Sequence, residues 1–493
     1  MAAGGLKTLA KETAIYGLSS IVGRFLNYLL VPLYTAKLAA EGGGYGVITN
    51  VYSYVALLLV ILTYGMETTF FRFSNKKEEN PATVYSTTLI SVGSTSLLFI
   101  VVVMLLLGPI SSFMGYADHP EYIATMACVV AIDAFQSITF AYLRLTKRAI
   151  KFAALKLLFI GLNIGLNLLY FVLLPALYKT YPDTIGLIYS PNIGVGYAFY
   201  LNLVCTALIT LFFKRELTGF KYVFDKALLR RMLGYSWPIL VLGIAGILNQ
   251  TADKILFPFL STSDNAARDL GIYGAASKIA MIMAMITQAF RYAYEPFVFS
   301  KSRESDSRQT YAKAMRYFVI FTLLAFLAVM AYIDILKYII APDYWSGLKV
   351  VPIVMAAEIM MGVYFNLSFW YKLTDQTLWG AVFSGIGCLV LIVANAIFVP
   401  RFGYVACAWA GCAGYGTAMI LSYLVGQKRY PISYPLRAIA GYTLAAAVIF
   451  VIFRLMPDMS IIAQTAVKTI LLLAYISLVI RCEHIPLKLP RRR

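Results

Sequence analysis

The sequence predicts an all-α polytopic membrane protein with about fourteen transmembrane helices, and three observations carry that reading. Its 493 residues are 60% hydrophobic and only 13% charged, where a soluble chain needs roughly a quarter of its residues charged to cover its surface. The apolar residues arrive in runs of about 20, the length that crosses a hydrocarbon core as a helix. The remaining charge is lopsided, with 42 Lys and Arg against 23 Asp and Glu for a net +19, and it falls mostly between the runs. Nucleic acid is the first partner such an excess suggests. Here the basic residues are scattered rather than gathered in one domain, so no nucleic acid partner is expected and the excess reads as topology.

Taken in order, apolar stretches bounded by charged or turn residues place spans at 12–34, 45–71, 84–107, 121–143, 152–174, 192–213 and 234–258. Seven more follow at 272–297, 314–333, 348–371, 377–399, 403–426, 436–455 and 461–480. The enrichment of cytoplasmic loops in Lys and Arg tests the count. With the N-terminus inside, the eight cytoplasmic segments carry two, three, four, six, five, one, three and five basic residues. The opposite loops carry only Lys37, Lys179, Arg268, Lys337, Lys349, Arg401 and Arg454. One helix more or fewer scrambles this alternation, so an even count with both termini cytoplasmic is expected. The opening MAAGGLKTLAKETAIYG has no small-residue cleavage site behind a short apolar core, which reads as a retained first helix.

No extramembrane domain is expected, because no loop exceeds about 20 residues. Cys128, Cys205, Cys388, Cys407 and Cys412 fall inside apolar runs, no CxxC pair occurs, and His119 and His484 are isolated. Neither a disulfide framework nor a metal site follows. The longest hydrophilic link, KRELTGFKYVFDKALLRRM, comes after the sixth span. A repeat flanks it: LLVPLYT and ILFPFLS put Pro32 and Pro258 in matching places. Likewise Tyr45-Gly46 opens a span that closes on FRFS, and Tyr273-Gly274 one that closes on FVFS. The expected organisation is a lobe of six helices at 1–215, a connector at 216–232, a second six-helix lobe at 233–430, and two extra helices with a basic tail at 431–493. Repeats of this kind are typical of alternating-access transporters.

Six basic residues lie inside the spans: Arg24, Lys156, Lys254, Lys278, Arg291 and Lys468. A cation at the bilayer centre costs about 2.5 to 3.5 kcal/mol on insertion scales, so each must face protein, water or a ligand. Tyr16, Ser20, Arg24 and Tyr28 recur every four residues, with Asn27 beside them, as one polar stripe. The forked guanidinium of Arg24 suits phosphate oxygens, or it pairs with a carboxylate such as Glu67 or Asp133. On the seventh span Asn249, Gln250 and Asp253 share a side, and Asp253 beside Lys254 reads as a proton or sodium carrier or as a structural pair. Lys278 is assigned to the interior and Arg291 to a pair with Glu295, since thirteen residues at about 100° each set the two cations on nearly opposite faces. Lys156 faces substrate or snorkels to the surface. Glu67, Asp133, Asp253 and Glu358 are the coupling or counter-ion candidates. Ala406, Ala410 and Gly414, four apart, read as helix packing.

The segments GLSSIVGRFLNYLLVPLYT, YGMETTFFRF and GIYGAASKIAMIMAMITQAFRYAYEPFVF, in that order, resemble the polysaccharide-transport branch of the multidrug, oligosaccharidyl-lipid and polysaccharide exporter superfamily, over essentially the whole chain. The resemblance implies two six-helix lobes in a V around a cationic cavity, with two C-terminal helices making a groove for a polyprenyl tail. It implies a flippase that carries undecaprenyl-diphosphate-linked oligosaccharide across a bacterial inner (plasma) membrane by alternating access. The cargo would feed O-antigen of lipopolysaccharide, capsule or exopolysaccharide, with glycan polymerase and glycosyltransferases of the same pathway as partners beside the membrane lipids. By the same resemblance Arg24 matches the basic residue of the first helix that meets the diphosphate.

Two other readings stand beside it. A cation-coupled multidrug antiporter of the same fold calls for an acidic cavity, against which the basic surplus inside the spans counts. A membrane glycan polymerase calls for a sizeable outer loop bearing Arg, His or carboxylates, and the longest outer loop, LYKTYPDTIGLIYSP, offers little of that kind. No catalytic constellation and no cofactor are expected. With no GxxxxGK[ST] loop in the chain, the driving force is expected to be membrane potential or coupling to H+ or Na+.

Overall fold

The computed structural model describes residues 26, 28–301, 307–374, 376–457 and 459–484, with backbone alone for 292–301 and 307. Among the described residues it holds helices and turns but no strand. Helix α1 (Leu30–Lys37) is the described end of the first span. It is followed by α2 (Gly44–Ser74), α3 (Pro81–Leu105), α4 (Pro120–Leu145), α5 (Ala149–Thr180) and the shorter α6 (Gly196–Leu211). Next come α7 (Lys226–Leu260), α8 (Ala266–Lys301), α9 (Ser307–Ala331) and α10 (Pro342–Leu373). The series ends with α11 (Leu378–Phe402), α12 (Tyr404–Arg429), α13 (Leu436–Leu455) and α14 (Ile461–Cys482). Each lies on a span read from the sequence, and among the described residues twelve are long and apolar enough to cross a membrane.

Local chemistry sets several of the boundaries. Asn80 caps α3 by accepting from the Ala82 amide, with Pro81 in the first turn. Asp225 does the same for α7 through the Leu228 amide, and Ser460 for α14 through that of Ala463. Inside α2 the chain breaks at Tyr64 and Gly65, both left-handed at φ 33° and 73°. A Cβ on Gly65 would sit 3.0 Å from the Ile239 side chain and the Ser236 carbonyl, so glycine serves both the turn and the close approach of α7.

The chain divides into two compact units, Met1–Gly274 and Ala275–Arg493. In the first, α4 is the central helix: 67% of its most apolar window is buried, against 28% for α3 and 17% for α7. One side of it packs with Met66, Phe70, Tyr85, Leu89, Leu228 and Met232 of α2, α3 and α7. The other packs Phe140 and Leu143 against Phe152, Leu155 and Ile209 of α5 and α6. Between helices in lipid the hydrophobic effect contributes little, so close packing and interhelical hydrogen bonds hold such a unit.

Two proline and glycine features of the repeat acquire a structural meaning here. Pro258 lies inside α7 and has no N–H for the Lys254 carbonyl four residues back. Asn50 of α2 donates its amide to that carbonyl at 2.9 Å, and Tyr116 in turn donates to Asn50 Oδ1 at 2.9 Å. At the same end Gly46 meets the first turns of α8 so closely that a Cβ would lie 1.8 Å from the Ala267 carbonyl oxygen. Its repeat partner Gly274 would put a Cβ 2.4 Å from Thr49 Oγ1 of α2. The link before α7 is equally fixed, with Val223 N–H donating to Ser86 Oγ at 2.7 Å and Asp225 N–H to Thr87 Oγ1 at 3.2 Å.

In the second unit, Tyr364, Trp370 and Tyr371 of α10 pack with Phe383 of α11 and Ala418 of α12. Gly387 and Gly414 let α11 and α12 touch: a Cβ on either would lie 2.8 Å from the other's carbonyl oxygen. Ala406 and Ala410 are buried on the same helix, in keeping with the packing role expected of that stripe. The extra helices are tied in through charge. Glu483, just past α14, takes Arg316 of α9 at 2.8 Å and the Tyr442 hydroxyl of α13 at 2.7 Å. Lys468 of α14 is buried and paired with Asp334 at 2.7 Å, which gives that intramembrane cation a local partner.

Candidate functional site

Arg24 and Asn27, with the rest of the polar stripe before Tyr28, lie outside the described residues. The other candidates fall into three settings. In the first unit several charges near the basic-rich ends of the helices are paired. Glu67 of α2 binds Arg144 of α4, whose guanidinium also lies 5.0 Å from the Phe71 ring and 5.9 Å from that of Phe152. Arg231 meets Glu79 at 2.6 Å, and Arg72 lies 4.0 Å over Tyr235. Glu216, in the short helix Lys214–Thr218, has a fully buried side chain that accepts from Arg148 at 3.0 Å and Lys151 at 2.6 Å.

At the opposite end of the unit, Asp253 is buried between the Lys254 ammonium at 3.0 Å and the Tyr273 hydroxyl at 2.6 Å. Lys254 also donates to the Gln250 backbone carbonyl at 2.9 Å. The helix parts the trio expected on α7: Asn249 and Asp253 are buried while Gln250 is exposed. Between the two ends stand Asp133 of α4 and Lys156 of α5, both half-buried. The Lys156 ammonium lies 4.1 Å over the Phe140 ring.

Polar networks that the sequence reading passed over thread the same unit. Tyr34 donates to Asn167 Oδ1 at 2.8 Å, and Asn167 donates to Asn163 one turn back. Asn202 reaches the Tyr52 hydroxyl at 2.5 Å, Thr206 donates to Asn202, and Gln136 donates to the Thr206 carbonyl and to Thr210 at 2.8 Å each. Their signal was present as period-four polar pairs and triplets, Asn163 with Asn167 and Asn202 with Thr206 and Thr210, the spacing that marked the stripe around Arg24.

In the second unit Lys278 is half-buried among the fully buried Ala275, Ala276 and Ile279 of α8, and Glu358 of α10 is half-buried as well. Arg291 is exposed, 4.8 Å over the Phe365 ring. The side chain of its expected partner Glu295 lies outside the described residues. An open apolar groove lined by Ile335, Ile461, Ile462, Thr465 and Ile470 lies at the start of α14. Among the described residues no group of three or more His, Cys, Asp or Glu could hold a metal ion.

Residues 9–294 match the family described as polysaccharide biosynthesis protein. Among solved structures, a lipid II flippase MurJ in an inward closed conformation is similar, with a TM-score of 0.71 at 14% identity over 95% of this chain and 100% of that one. A multidrug resistance MATE family transporter of the MOP superfamily in an inward-facing conformation gives 0.65 at 15% identity, over 82% of this chain and 94% of that one. The MATE multidrug transporter DinF-BH gives 0.59 at 17% identity, over 85% and 95%. At these identities the likenesses establish the fold. No curated protein sequence matches.

Proposed function

The chain belongs to the polysaccharide biosynthesis protein family, matched over more than half its length, and from that premise we propose that it flips a lipid-linked oligosaccharide across the membrane by alternating access. The cargo is an undecaprenyl-diphosphate-linked glycan destined for O-antigen, capsule or exopolysaccharide. The membrane is a bacterial inner membrane with both termini cytoplasmic. The family match on a multi-pass fold shared with a lipid II flippase is the observation that carries this reading.

The physics of such a cargo suits the chain. Its anionic head cannot cross hydrocarbon, and its glycan needs a wet interior. Fixed cations offset the desolvation of the head; Arg24, Lys156 and Lys278 take that role, with Asn27 and Gln250 contributing hydrogen bonds. The apolar groove beside α14 takes the polyprenyl tail. Two negative charges moving outward gain roughly 4 to 5 kcal/mol at 100 mV, from about 2.3 kcal/mol per charge. Membrane potential therefore contributes without ATP. Coupling to H+ or Na+ would use carboxylates, for which Asp253, Glu67, Asp133 and Glu358 are the candidates. The lobes at 1–215 and 233–430 are the moving halves, with the connector 216–232 between them and 431–493 appended. Polymerase and glycosyltransferases of the pathway supply and consume the cargo.

Arg24→Ala is expected to abolish surface glycan assembly with protein level and membrane insertion intact, and normal glycan display in that variant overturns its role. Reconstitution in liposomes with a fluorescent diphosphate glycolipid, run beside charged and neutral drugs, tests the whole reading. Drug transport without glycolipid flipping would make the chain a multidrug antiporter instead.

A further inference from the structure

The link between α5 and α6 holds two large apolar side chains away from the protein. Leu187 and Ile188, adjacent in the chain, are 85% and 59% exposed, and Tyr181 is exposed beside them. In water such a pair forfeits the burial that apolar side chains gain on folding, and neither residue lies in a helix. A loose chain does not account for it, because the backbone is fastened on both sides of the pair. Ahead of it the short helix Pro182–Ile185 turns the chain back. The Gly186 N–H donates to the Pro182 carbonyl at 2.8 Å, and the Ile188 and Tyr189 N–H groups donate to that of Ile185 at 3.0 and 2.9 Å. Behind it stands a frame of tyrosines. The Tyr189 ring stacks on Tyr197 of α6 with centroids 5.5 Å apart and meets Tyr178 of α5 edge-on at 5.7 Å. Tyr197, itself buried, accepts through its hydroxyl from the Ser190 N–H at 2.7 Å and donates to the Ser190 carbonyl at 3.2 Å. Both helices thus set the backbone of the loop, and Leu187 and Ile188 are left outside the frame.

The setting of the loop is a membrane boundary. Helix α5 has 32 residues, about 48 Å at the helical rise, which matches the roughly 40 to 45 Å of hydrocarbon core and head groups together. It starts beside Lys151 at the basic-rich end, so Thr180 and the loop after it stand at head-group depth on the far side. Val172 and Leu173, both exposed, carry the lipid-facing surface of α5 to the foot of the loop. Lys179, Asp183 and Asn192 are exposed as well. Apolar side chains, tyrosines and polar groups together are the mixture that settles at a water–lipid interface. With one cation, Lys179, and one anion, Asp183, residues 179–192 carry no net charge to favour a lipid of either sign.

We propose that residues 181–189 are an interfacial anchor in the leaflet opposite the basic-rich face. Leu187 and Ile188 enter the boundary between head groups and acyl chains, and Tyr178, Tyr181 and Tyr189 lie at head-group level. Continuity with the lipid-facing side of α5 selects a lipid surface over a protein or a glycan, since two aliphatic side chains offer a sugar neither a ring face nor a hydrogen bond. Through the tyrosine frame the anchor fixes the depth at which α5 and α6 end. It needs the multi-pass fold alone and is independent of the cargo.

The test uses the full-length protein in nanodiscs of zwitterionic phosphatidylcholine, with Cys482→Ser to remove a cysteine that is exposed. An environment-sensitive NBD label on Ile188→Cys is expected to emit at shorter wavelength than in water. It should be quenched several-fold more strongly by lipids carrying a nitroxide near the head group than by aqueous iodide. The same label on Glu78→Cys, in the polar link before α3, is expected to give the opposite ranking. Adding anionic phosphatidylglycerol or salt should change neither ranking. Stronger quenching of the Ile188→Cys label by iodide overturns the anchor, because the pair would then face water, and so does quenching by neither agent, because protein would then cover it. Dependence on anionic lipid also overturns it, by making charge rather than the apolar pair the seat of the loop. Should labelled Ile188→Cys fail to fold, Leu187→Cys decides by the same ranking. Glycolipid transport plays no part in the readout, so failure of the flippase reading leaves this result untouched.

Discussion

Two carboxylates of the first unit, Glu216 and Asp133, occupy opposite conditions. Glu216 is wholly enclosed, yet two cations converge on it and its backbone carbonyl accepts from the Tyr85 hydroxyl at 3.2 Å. Asp133 is half-buried, stands within a membrane span, and among the described residues has no ion pair and no side-chain hydrogen bond. Burial alone would predict that the more buried acid is the more strained. Pairing offsets that expectation, because an enclosed charge that is multiply paired is part of the scaffold, whereas a charge with no ion pair among the described residues lacks that compensation. In this unit, pairing rather than depth alone decides how firmly the scaffold holds a charge.

The sharpest way to break that contrast is to reverse the charge at its structural end. Glu216→Lys would set three cations around a fully buried site and is expected to cost about 3 to 5 kcal/mol, the usual penalty of an uncompensated buried charge. Thermal unfolding of the detergent-solubilised protein should show the largest drop of any variant considered, and Glu216→Gln a smaller one. A melting temperature unchanged by Glu216→Lys would mean that the clamp on the connector does not hold the unit together. Asn50→Ala comes next. It removes the amide that serves the Lys254 carbonyl and also leaves the Tyr116 hydroxyl without its acceptor, for an expected loss of about 1 to 3 kcal/mol. If pairing is what marks structural groups, this loss should appear in the melt rather than in transport by the surviving folded protein.

Much of the architecture was legible in the sequence because it rests on local period and composition. The expected span 121–143 is the helix Pro120–Leu145, and 461–480 is Ile461–Cys482. The repeated Tyr-Gly dipeptides pointed to positions where α2 and the start of α8 come within backbone contact. What was not legible joins distant residues. Nothing around Asn50 announces that it serves a carbonyl some two hundred residues later, and nothing around Glu216 announces Arg148 and Lys151. The break at Tyr64 and Gly65 was hidden for another reason. Its apolar surroundings read as continuous helix, and the left-handed turn answers the approach of α7 rather than any local propensity. Of the candidate site, the sequence named the intramembrane charges, but the distinction between Asp253, which is paired, and Asp133, which has no ion pair among the described residues, exists only in three dimensions.

The same contrast can be sharpened in the second unit, where the expected effect is smallest. Lys468 is nearly enclosed, with its side chain 7% exposed, and its partner Asp334 is 30% exposed and has Lys337 at 3.7 Å as a second cation. Removing the enclosed member should therefore be mild. Lys468→Met keeps the length of the side chain, abolishes the cost of burying an ammonium and leaves Asp334 served by Lys337 and by water, so stability should change by about 1 kcal/mol or less in either direction. Removing the outer member should be worse, because Asp334→Ala strands the Lys468 ammonium inside the unit. The two melts compared in one detergent test the rule directly. A larger loss from Lys468→Met than from Asp334→Ala would mean that the enclosed cation is held by something other than its carboxylate, and that lack of an ion pair is no guide to which intramembrane charges wait for a ligand.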